Sequence, residues 1–256
     1  IFLVLFVLTM GVELYSNDKP ILVKYDDSYY FPIFKKYAET EFGGDFQTEA
    51  DYLDPYVQKL IAAKGFMIMP FLHYRYDTIN YYLDSAPPTA PNRKNLLGTD
   101  DGARDVLARL IYGLRISLLF GIILTFFSSI IGIIAGALQG YFAGRFDLIM
   151  QRFMEIWSGL PTLFILIILA SFVVPNFWWL LLIMLLFSWM GLVGPVRAEF
   201  LRARKLEYVT AARVCGIKER HIILRHILPN ALVASLTFIP FMLSGSIVML
   251  TSLDFL

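Results

Sequence analysis

The sequence predicts an all-α polytopic membrane protein with a small extracytoplasmic insert after its first helix. Hydrophobic residues make up 57% of the 256 residues and charged residues 17%, and the mean hydropathy is +0.62. Soluble domains carry about 25% charged residues. The apolar residues form long runs, and one strongly basic segment lies between two of them. A net charge of +1 gives no reason to expect a nucleic-acid partner.

The chain opens with an apolar segment, Ile1 to Leu14, that is broken only by Thr9 and Glu13. A helix needs about 20 residues to cross a hydrocarbon core of roughly 30 Å. Residues 1–15 are therefore predicted to be a truncated first transmembrane helix. A cleaved signal peptide is the alternative, although no small-residue cleavage site precedes Ser16. Because the chain lacks an initiator methionine and stops within an apolar run, we expect it to be a fragment.

Residues 16–110 are polar and aromatic, and they are predicted to form a periplasmic insert together with the segment that leads into the next helix. The run from Tyr25 to Phe34 favours short strands around an Asp26-Asp27 turn, whereas Glu49 to Ala63 has helical spacing. The proline-rich run Ser85 to Pro91 is typical of an extended linker. A small packed cap explains the many tyrosines better than the alternative, a sugar-binding site.

Residues 111–256 are predicted to form the transmembrane domain, incomplete at its C-terminus. The apolar runs predicted as its spans are Leu114 to Leu138, Phe153 to Val174, Trp178 to about Val196, and Ala231 to Leu256. Gly132 and Gly136 have the small-xxx-small spacing that lets two helices approach closely. Pro161 is expected to kink the second run, and Trp178 and its neighbour Trp179 are expected to anchor the third at the membrane interface.

Two turns are expected to connect these spans, a polar one from Gln139 to Gln151 and a short one at Pro175-Asn176. Glu155 and Asp254 lie at the ends of apolar runs. Because a carboxylate at such a position can reach water or a headgroup, we expect both to be boundary residues rather than substrate contacts.

The basic segment, residues 197–230, is predicted to be a hairpin of two helices. The first is expected from Glu199 to Cys215, and Gly216, which tolerates positive φ, is expected just past its end. A second helix is expected from about Lys218 and is closed by Pro229. Eight basic residues against three acidic ones place this segment on the cytoplasmic side by the positive-inside rule. Counting spans backwards then places the insert outside.

The basic segment also resembles a known family. The run Tyr208-Val209-Thr210-Ala211-Ala212-Arg213-Val214-Cys215-Gly216, followed by His226-Ile227-Leu228-Pro229-Asn230, is similar to the "EAA" loop of permease subunits of bacterial ABC importers. In that family the loop docks as a short coupling helix into a groove of the ATPase subunit. The resemblance implies a coupling loop formed by Glu207, Tyr208, Ala211, Ala212, Gly216, His226, Leu228 and Pro229. The alternative is an amphipathic cytoplasmic loop without a partner.

The loop departs from the family pattern at two positions. Thr210 stands where the motif has an acidic residue, which removes the basis for a specific salt bridge there. His226 stands where the general pattern has isoleucine, although His-Ile-Leu-Pro occurs among peptide-type permeases. The docking geometry is expected to survive both changes, because it depends on Ala211, Ala212, Gly216 and the closing proline.

A second resemblance lies just before the first long span. The stretch Leu97 to Gly113 is similar to the GTD…GRDV…RLIYG…RIS signature of dipeptide and oligopeptide permeases, and the matching residues are Gly98, Thr99, Asp100, Arg104 and Asp105. Gly102-Ala103 reverses the usual order, in which glycine comes second. Thr99 or Asp100 is expected to cap a short helix. A metal or acid/base pair at Asp100-Asp101 is disfavoured, because adjacent helical residues do not face each other and no histidine lies near.

No motif for chemistry of its own occurs in the sequence. There is no GxxxxGK[ST], HExxH or GxSxG. His221 and His226, five residues apart, would lie about 140° apart on an α-helix, which is poor for shared ligation. A single cysteine, Cys215, excludes a disulfide framework within the chain. We therefore expect a non-enzymatic subunit without a cofactor, whose energy source lies on a partner.

Taken together, the resemblances imply a permease of the MetI-like type in the inner membrane, and the tyrosine-rich insert is most like that of the microcin C type of oligopeptide permease. The implied partners are a second permease subunit, two ATP-binding subunits that hold ATP and Mg, a periplasmic substrate-binding protein and lipid. A dipeptide or nickel permease is the nearest alternative. A membrane-embedded enzyme would need pairs of polar residues that face each other in mid-span, and a channel would need a filter loop. Neither feature is visible in the sequence. The sequence does not identify the peptide.

Overall fold

The computed structural model describes residues 2–83, 85–161, 164–165, 167–169 and 176–254. The chain divides into two compact units, Ile1–Ile116 and Ser117–Leu256. Most of the described residues are helical, but the first unit contains a three-stranded sheet. The all-α class therefore does not describe the insert, for which the sequence already predicted short strands.

The first unit begins with two short helices and continues into a mixed insert. Its elements are α1 (Phe2–Met10), α2 (Val12–Tyr15), β1 (Leu22–Tyr25), β2 (Ser28–Tyr30), a 3₁₀ turn (Glu39–Phe42), α3 (Pro55–Lys64) and β3 (Gly65–Ile68). The sheet order is β2-β1-β3, with both pairs antiparallel. Strand β3 was not predicted from the sequence, since Gly-Phe-Met-Ile follows directly on a helix.

The predicted hairpin at Asp26-Asp27 is confirmed. The two residues have φ values of 48° and 59°, which is the left-handed pair that suits a two-residue turn between twisted strands. The predicted helix Glu49 to Ala63 begins later than expected, because Asp54 accepts a hydrogen bond from the N–H of Tyr56 at 2.8 Å and Pro55 occupies the first turn.

The tyrosines of the insert pack into a core around Phe42, as the sequence predicted. Phe42 is fully buried, and its ring makes edge contacts with Tyr25, Tyr30 and Tyr52 at centroid distances of 5.7, 5.2 and 5.9 Å. Such contacts exploit the opposite polarity of ring face and ring edge. The insert therefore has a hydrophobic core of its own, completed by Val23, Ala50, Val57 and Ile61.

The remaining helices include those of the basic segment. They are α4 (Val106–Phe142), α5 (Gly144–Ser158), α6 (Phe177–Ser188), α7 (Met190–Ala203), α8 (Glu207–Val214), α9 (Glu219–His221), a π-helix (Ile222–Ile227), α10 (Leu228–Leu236) and α11 (Ile239–Asp254). By length and composition, two helical stretches of the described residues are suited to cross a membrane, Val106–Phe142 and Phe177–Ala203. Ile239–Thr251 is apolar but shorter.

The connections between these helices differ from the predictions. The polar turn expected from Gln139 to Gln151 is wrong, because α4 continues to Phe142 and the chain reverses at Ala143 and Gly144, with φ values of 51° and 60°. Pro161 follows the end of α5. The predicted span from Phe153 to Val174 includes residues 162–163, 166 and 170–174, which lie outside the described residues. Pro175, predicted in the next turn, also lies outside them.

The structure describes the side chain of only one of the two acids that were predicted as boundary residues. Glu155 lies on the exposed part of α5, where its carboxylate pairs with Arg152 at 2.6 Å. An exposed, paired carboxylate is compatible with the predicted boundary position. The side chain of Asp254 lies outside the described residues.

Close packing between α4 and α7 positions the basic segment. A Cβ atom added at Gly132 would lie 2.6 Å from the carbonyl oxygen of Trp189, and one added at Gly136 would lie 2.8 Å from that of Val193. The close approach predicted for these two glycines is confirmed. The structure adds a third position, Gly140, one helical step further along α4. The backbones of the two helices therefore touch along three successive turns.

Candidate functional site

The basic segment begins where α7 ends. The single helix predicted from Glu199 to Cys215 is wrong, because the chain turns at residues 204–206 between α7 and α8. The guanidinium of Arg204 donates a hydrogen bond to the carbonyl oxygen of Tyr141 at 2.8 Å, and the N–H of Leu206 donates to the carbonyl oxygen of Ala203 at 3.0 Å. A contact to a residue 63 positions away thus fixes a break that no glycine or proline marks.

The turn after α8 has the geometry expected at Gly216. Its φ is +75°, so the predicted positive φ is confirmed. The N–H of Gly216 donates to the carbonyl oxygen of Arg213 at 2.9 Å, and the N–H of Ile217 donates to that of Ala212 at 3.1 Å. This pair of bonds is the Schellman motif, which satisfies the last carbonyls of a helix. A Cβ atom at Gly216 would meet nothing within 4 Å, so only backbone strain opposes a side chain here.

Helix α8 buries one side and exposes the other. Val209 and Ala212, three positions apart, are buried in a cluster of apolar side chains. The opposite side presents Tyr208, Ala211 and Val214, and the Val214 side chain is 84% exposed. Of the residues that the resemblance implied, Glu207, Tyr208 and Ala211 therefore lie on the exposed side, while Ala212 holds the helix to the core.

The second arm of the segment is a π-helix rather than an α-helix. The N–H of Leu228 donates to the carbonyl oxygen of Ile223, five residues back, and Ile222 and Ile227 are fully buried. The prediction that Pro229 closes the helix is wrong. Pro229 occupies the first turn of α10, where an N–H has no partner within the helix and proline is tolerated. The π-helix absorbs one extra residue before that new start.

The π-helix also changes the position of the two histidines. The rings of His221 and His226 lie with their centroids 5.7 Å apart, because residues five apart fall on the same side when hydrogen bonds run from i to i+5. The separation of about 140° predicted from α-helical geometry is therefore wrong. Among the described residues no three His, Cys, Asp or Glu side chains converge as metal ligands.

One ion pair and one cation–π contact connect the basic segment to α4 and α5. Arg197 donates two hydrogen bonds to Asp147, Nε to Oδ1 and Nη2 to Oδ2, each at 2.6 Å. Asp147 is 6% exposed, and a bidentate pair of this kind fixes orientation as well as charge. The guanidinium of Arg213 lies 5.3 Å from the ring centre of Tyr141, where a cation is attracted to the ring face. The sequence signal for this pair is limited to a single acid, Asp147, in the polar stretch 139–151 between two apolar runs.

The pre-helix motif forms a compact polar network. Asp100 accepts hydrogen bonds from the N–H of Gly102 at 2.9 Å, from the N–H and Nε of Arg104 at 2.8 and 3.0 Å, and from Arg109. Burial raises the pKa of Asp100. The backbone N–H and guanidinium of Arg104, together with Arg109, lower it by more, so the pKa lies below its ordinary value. Asp100 therefore organises a loop and does not cap a helix.

The helix cap in this motif is Asp105, which corrects the prediction of Thr99 or Asp100. Its Oδ1 accepts from the N–H of Ala108 at 2.7 Å, three residues into α4, and its Oδ2 accepts from Asn95 at 2.8 Å. Gly98 has a φ of +76°, and a Cβ atom there would lie 2.3 Å from the carbonyl oxygen of Thr89. The two carboxylates of the motif thus have structural partners in this unit.

The reversed Gly102-Ala103 order has a structural consequence. Ala103, not Gly102, has the positive φ, at +58°. Its N–H donates to the carbonyl oxygen of Asp100 at 3.1 Å, and its own carbonyl oxygen accepts from Asn80 at 2.9 Å. An alanine therefore holds a conformation that favours glycine.

Comparisons with known proteins agree with the family resemblance. Residues 128–256 match the family described as "binding-protein-dependent transport system inner membrane component". The chain is 55% identical to an inner membrane ABC transporter permease protein, YejE, of Escherichia coli (strain K12), over all of this chain and 75% of that protein. It is 50% identical to a peptidoglycan transport system permease protein, also YejE, of Agrobacterium fabrum, over all of this chain and 73% of that protein.

A more distant relative matches a smaller part of the chain. The chain is 40% identical to the oligopeptide transport system permease protein OppC of Haemophilus influenzae, over 63% of this chain and 52% of that protein. The resemblance stated from the coupling loop and the pre-helix motif is thereby confirmed. The chain belongs to the family of inner-membrane components of binding-protein-dependent transport systems.

Proposed function

We propose that the chain is the permease subunit of an ATP-binding-cassette importer that moves oligopeptides, of the microcin C type, across the inner membrane. The names of the relatives support a peptide-like substrate, since one is named for oligopeptide transport and another for peptidoglycan transport. The tyrosine-rich insert lies within the full-length match to the first two relatives, which favours this reading over a dipeptide or nickel permease.

One observation carries the proposal. Helix α8 buries Val209 and Ala212 in the core but leaves Tyr208, Ala211 and Val214 exposed at the end of a polar loop. Val214, an aliphatic residue that is 84% exposed beside the exposed Tyr208 and Ala211, is suited to an apolar groove on a partner. Because the sequence has no phosphate-binding loop, ATP and Mg would be held by two partner ATPase subunits, and α8 would transmit their closure.

The remaining parts of the proposal concern topology and assembly. The basic segment would lie in the cytoplasm, and the insert, residues 16–110, would lie in the periplasm. The chain would span the membrane several times beside a second permease subunit, and a periplasmic binding protein would deliver the peptide. Alternating access of the bundle would then follow from movement of α8 with the ATPase pair.

The turn at Gly216 provides the test. Replacement by valine and by asparagine both place a Cβ atom in open space, so the two variants differ mainly in their tolerance of a φ of +75°. Valine is expected to cost about 1–3 kcal/mol there, whereas asparagine adopts the left-handed conformation readily. Since 1.4 kcal/mol is a factor of about ten in an equilibrium constant, the geometry of a docking loop should respond strongly.

Gly216→Val is expected to insert and to pair with the second permease, yet to bind the ATPase at least about tenfold more weakly and to lose substrate-stimulated ATP hydrolysis. Gly216→Asn should retain most of both. The measurements are co-purification of the subunits and ATP hydrolysis by the reassembled transporter. Normal coupling by the valine variant, or equal failure of both variants, would refute the role given to α8.

A further inference from the structure

Helix α4 ends at a tyrosine that contacts the chain at both ends of α8. Tyr141 is 4% exposed and belongs to the same apolar cluster as Val209 and Ala212 of α8. The guanidinium of Arg204, in the turn that leads into α8, donates to the carbonyl oxygen of Tyr141. The guanidinium of Arg213, in the last turn of α8, lies against the Tyr141 ring. One residue of α4 therefore holds α8 between two arginine contacts.

The end of α4 is suited to hold these two cations. Carbonyl groups in the last turn of a helix have no partner within the helix, and the aligned peptide dipoles place partial negative charge there. The chain reverses at Ala143 and Gly144 directly after this turn, so α5 does not continue the helix. Arg204 satisfies one of the last carbonyls, and the face of the Tyr141 ring attracts the charge of Arg213.

The ring of Tyr141, and not its hydroxyl, makes these contacts useful. The hydroxyl is buried and has no hydrogen-bond partner among the described residues. A buried hydroxyl without a partner carries a desolvation cost, so its loss alone is not expected to weaken the fold. The ring face attracts a guanidinium, whereas an aliphatic side chain of similar size does not.

Arg213 has a second partner on the other arm of the basic segment. Its Nε lies 3.6 Å from Oε1 of Glu219, at the start of α9 and beyond the turn at Gly216. The side chains of Arg213 and Glu219 are 38% and 56% exposed, and an ion pair so open to water contributes little. The buried ring of Tyr141 is therefore the firmer of the two partners of Arg213.

We propose that Tyr141 is a positioning residue for coupling, because its ring and its carbonyl group hold α8 to the end of α4. A displacement of α8 is thereby passed to α4, the longer of the two described helical stretches suited to cross a membrane. This inference rests on the proposed function and deepens it, since it assigns the step that follows docking. The exposed side of α8 takes no part in the contact with Tyr141, so docking on the ATPase and transmission to α4 are separable.

The first measurement uses the permease alone in detergent. A nitroxide attached to Cys215, the single cysteine, which is exposed directly after α8, reports the mobility of that helix in its electron paramagnetic resonance spectrum. Tyr141→Leu and Arg213→Gln are each expected to raise the population of the mobile component about threefold to tenfold, because each removes the cation–π contact. The double variant should show no larger increase, since both changes remove one and the same contact.

Two matched variants serve as controls. Tyr141→Phe keeps the ring face and loses only the unpartnered hydroxyl, and Glu219→Gln removes the other partner of Arg213. Both should give the spectrum of the unaltered chain. An unchanged spectrum for Arg213→Gln, or additive effects of Arg213→Gln and Tyr141→Leu, would overturn the proposal. Arg213 is partly exposed, so its replacement tests the contact even where Tyr141→Leu does not fold.

The second measurement uses the transporter reassembled with its ATPase subunits and trapped with ATP and vanadate. A second nitroxide is placed at Ile134→Cys, at an exposed position of α4, and its distance from the label on Cys215 is measured by double electron–electron resonance. With Tyr141, and equally with Tyr141→Phe, the distance should stay constant on trapping because α8 and α4 move together. With Tyr141→Leu it should shift or broaden, while the ATPase co-purifies as with the unaltered chain.

The outcomes separate this inference from the proposed function. A constant distance in Tyr141→Leu, with the ATPase bound, would show that Tyr141 does not transmit the movement. Failure of the unaltered chain to bind the ATPase would instead contradict the proposed function. The mobility of the label on Cys215 in the isolated permease would still decide whether Tyr141 positions α8.

Discussion

The packing of α4 on α7 can be tested at Gly140. A Cβ atom added there would lie 2.5 Å from the carbonyl oxygen of Arg197 and 2.5 Å from Cβ of Phe200. Favourable contacts between carbon atoms occur at about 3.5–4.0 Å, so Gly140→Ala overlaps both atoms by about 1 Å. Neither atom belongs to the flexible end of a side chain. The two helices must therefore separate, or the backbone of α7 must shift.

The size of the effect follows from two opposing contributions. Overpacking of this kind typically costs about 1–3 kcal/mol, whereas alanine in place of glycine stabilises a helix interior by about 1 kcal/mol. Gly113, on the same helix, is the matched control, because a Cβ atom there meets nothing within 4 Å. Gly113→Ala gains the propensity without the overlap. The two variants should therefore differ by about 1–3 kcal/mol in stability.

Thermal unfolding of the purified chain in detergent, followed by circular dichroism, measures this difference. A gap of 1–3 kcal/mol corresponds to roughly 2–12 °C in Tm for a chain of this size, with Gly140→Ala melting lower. If Gly140→Ala melts at or above the temperature of Gly113→Ala, the helices do not touch at this position and the account of their packing is wrong.

Three further outcomes are expected. The folded-state pKa of Asp100 lies below its ordinary value of about 3.9, so its charge stabilises the first unit above that pH. This stabilisation is lost as the pH falls through the folded pKa. The Tm of Asp100→Asn should therefore depend less on pH between about 5 and 3 than the Tm of the unaltered chain. Ala103→Gly should raise the free energy of unfolding by about 1 kcal/mol, measured by denaturant titration, since it relieves a positive φ. Ser85→Cys should react with a membrane-impermeant thiol reagent in intact cells, whereas Cys215 should react only after permeabilisation, and the reverse pattern would contradict the topology.

Local chemistry allowed the sequence to predict several parts of the chain. The Asp26-Asp27 hairpin, the positive φ of Gly216 and the close approach at Gly132 and Gly136 each depend on residues within a few positions of one another. A turn needs particular φ values and a close helix contact needs small side chains, and both requirements are visible in the letters alone. The coupling-loop motif and the pre-helix motif were likewise sufficient to identify the family.

Tertiary structure decided what depends on residues far apart in the chain. The break at residues 204–206 is held by a hydrogen bond to Tyr141, and Arg197 finds Asp147 fifty positions away. Hydrogen bonds from i to i+5 bring His221 beside His226. They occur where Ile222 and Ile227 are both fully buried, and local sequence propensity does not predict that burial. The cavity of the insert that is lined by residues 18, 52 and 80 exists only because the chain folds back on itself. Periodicity specifies which face of an element is apolar, but only packing decides which partner covers it.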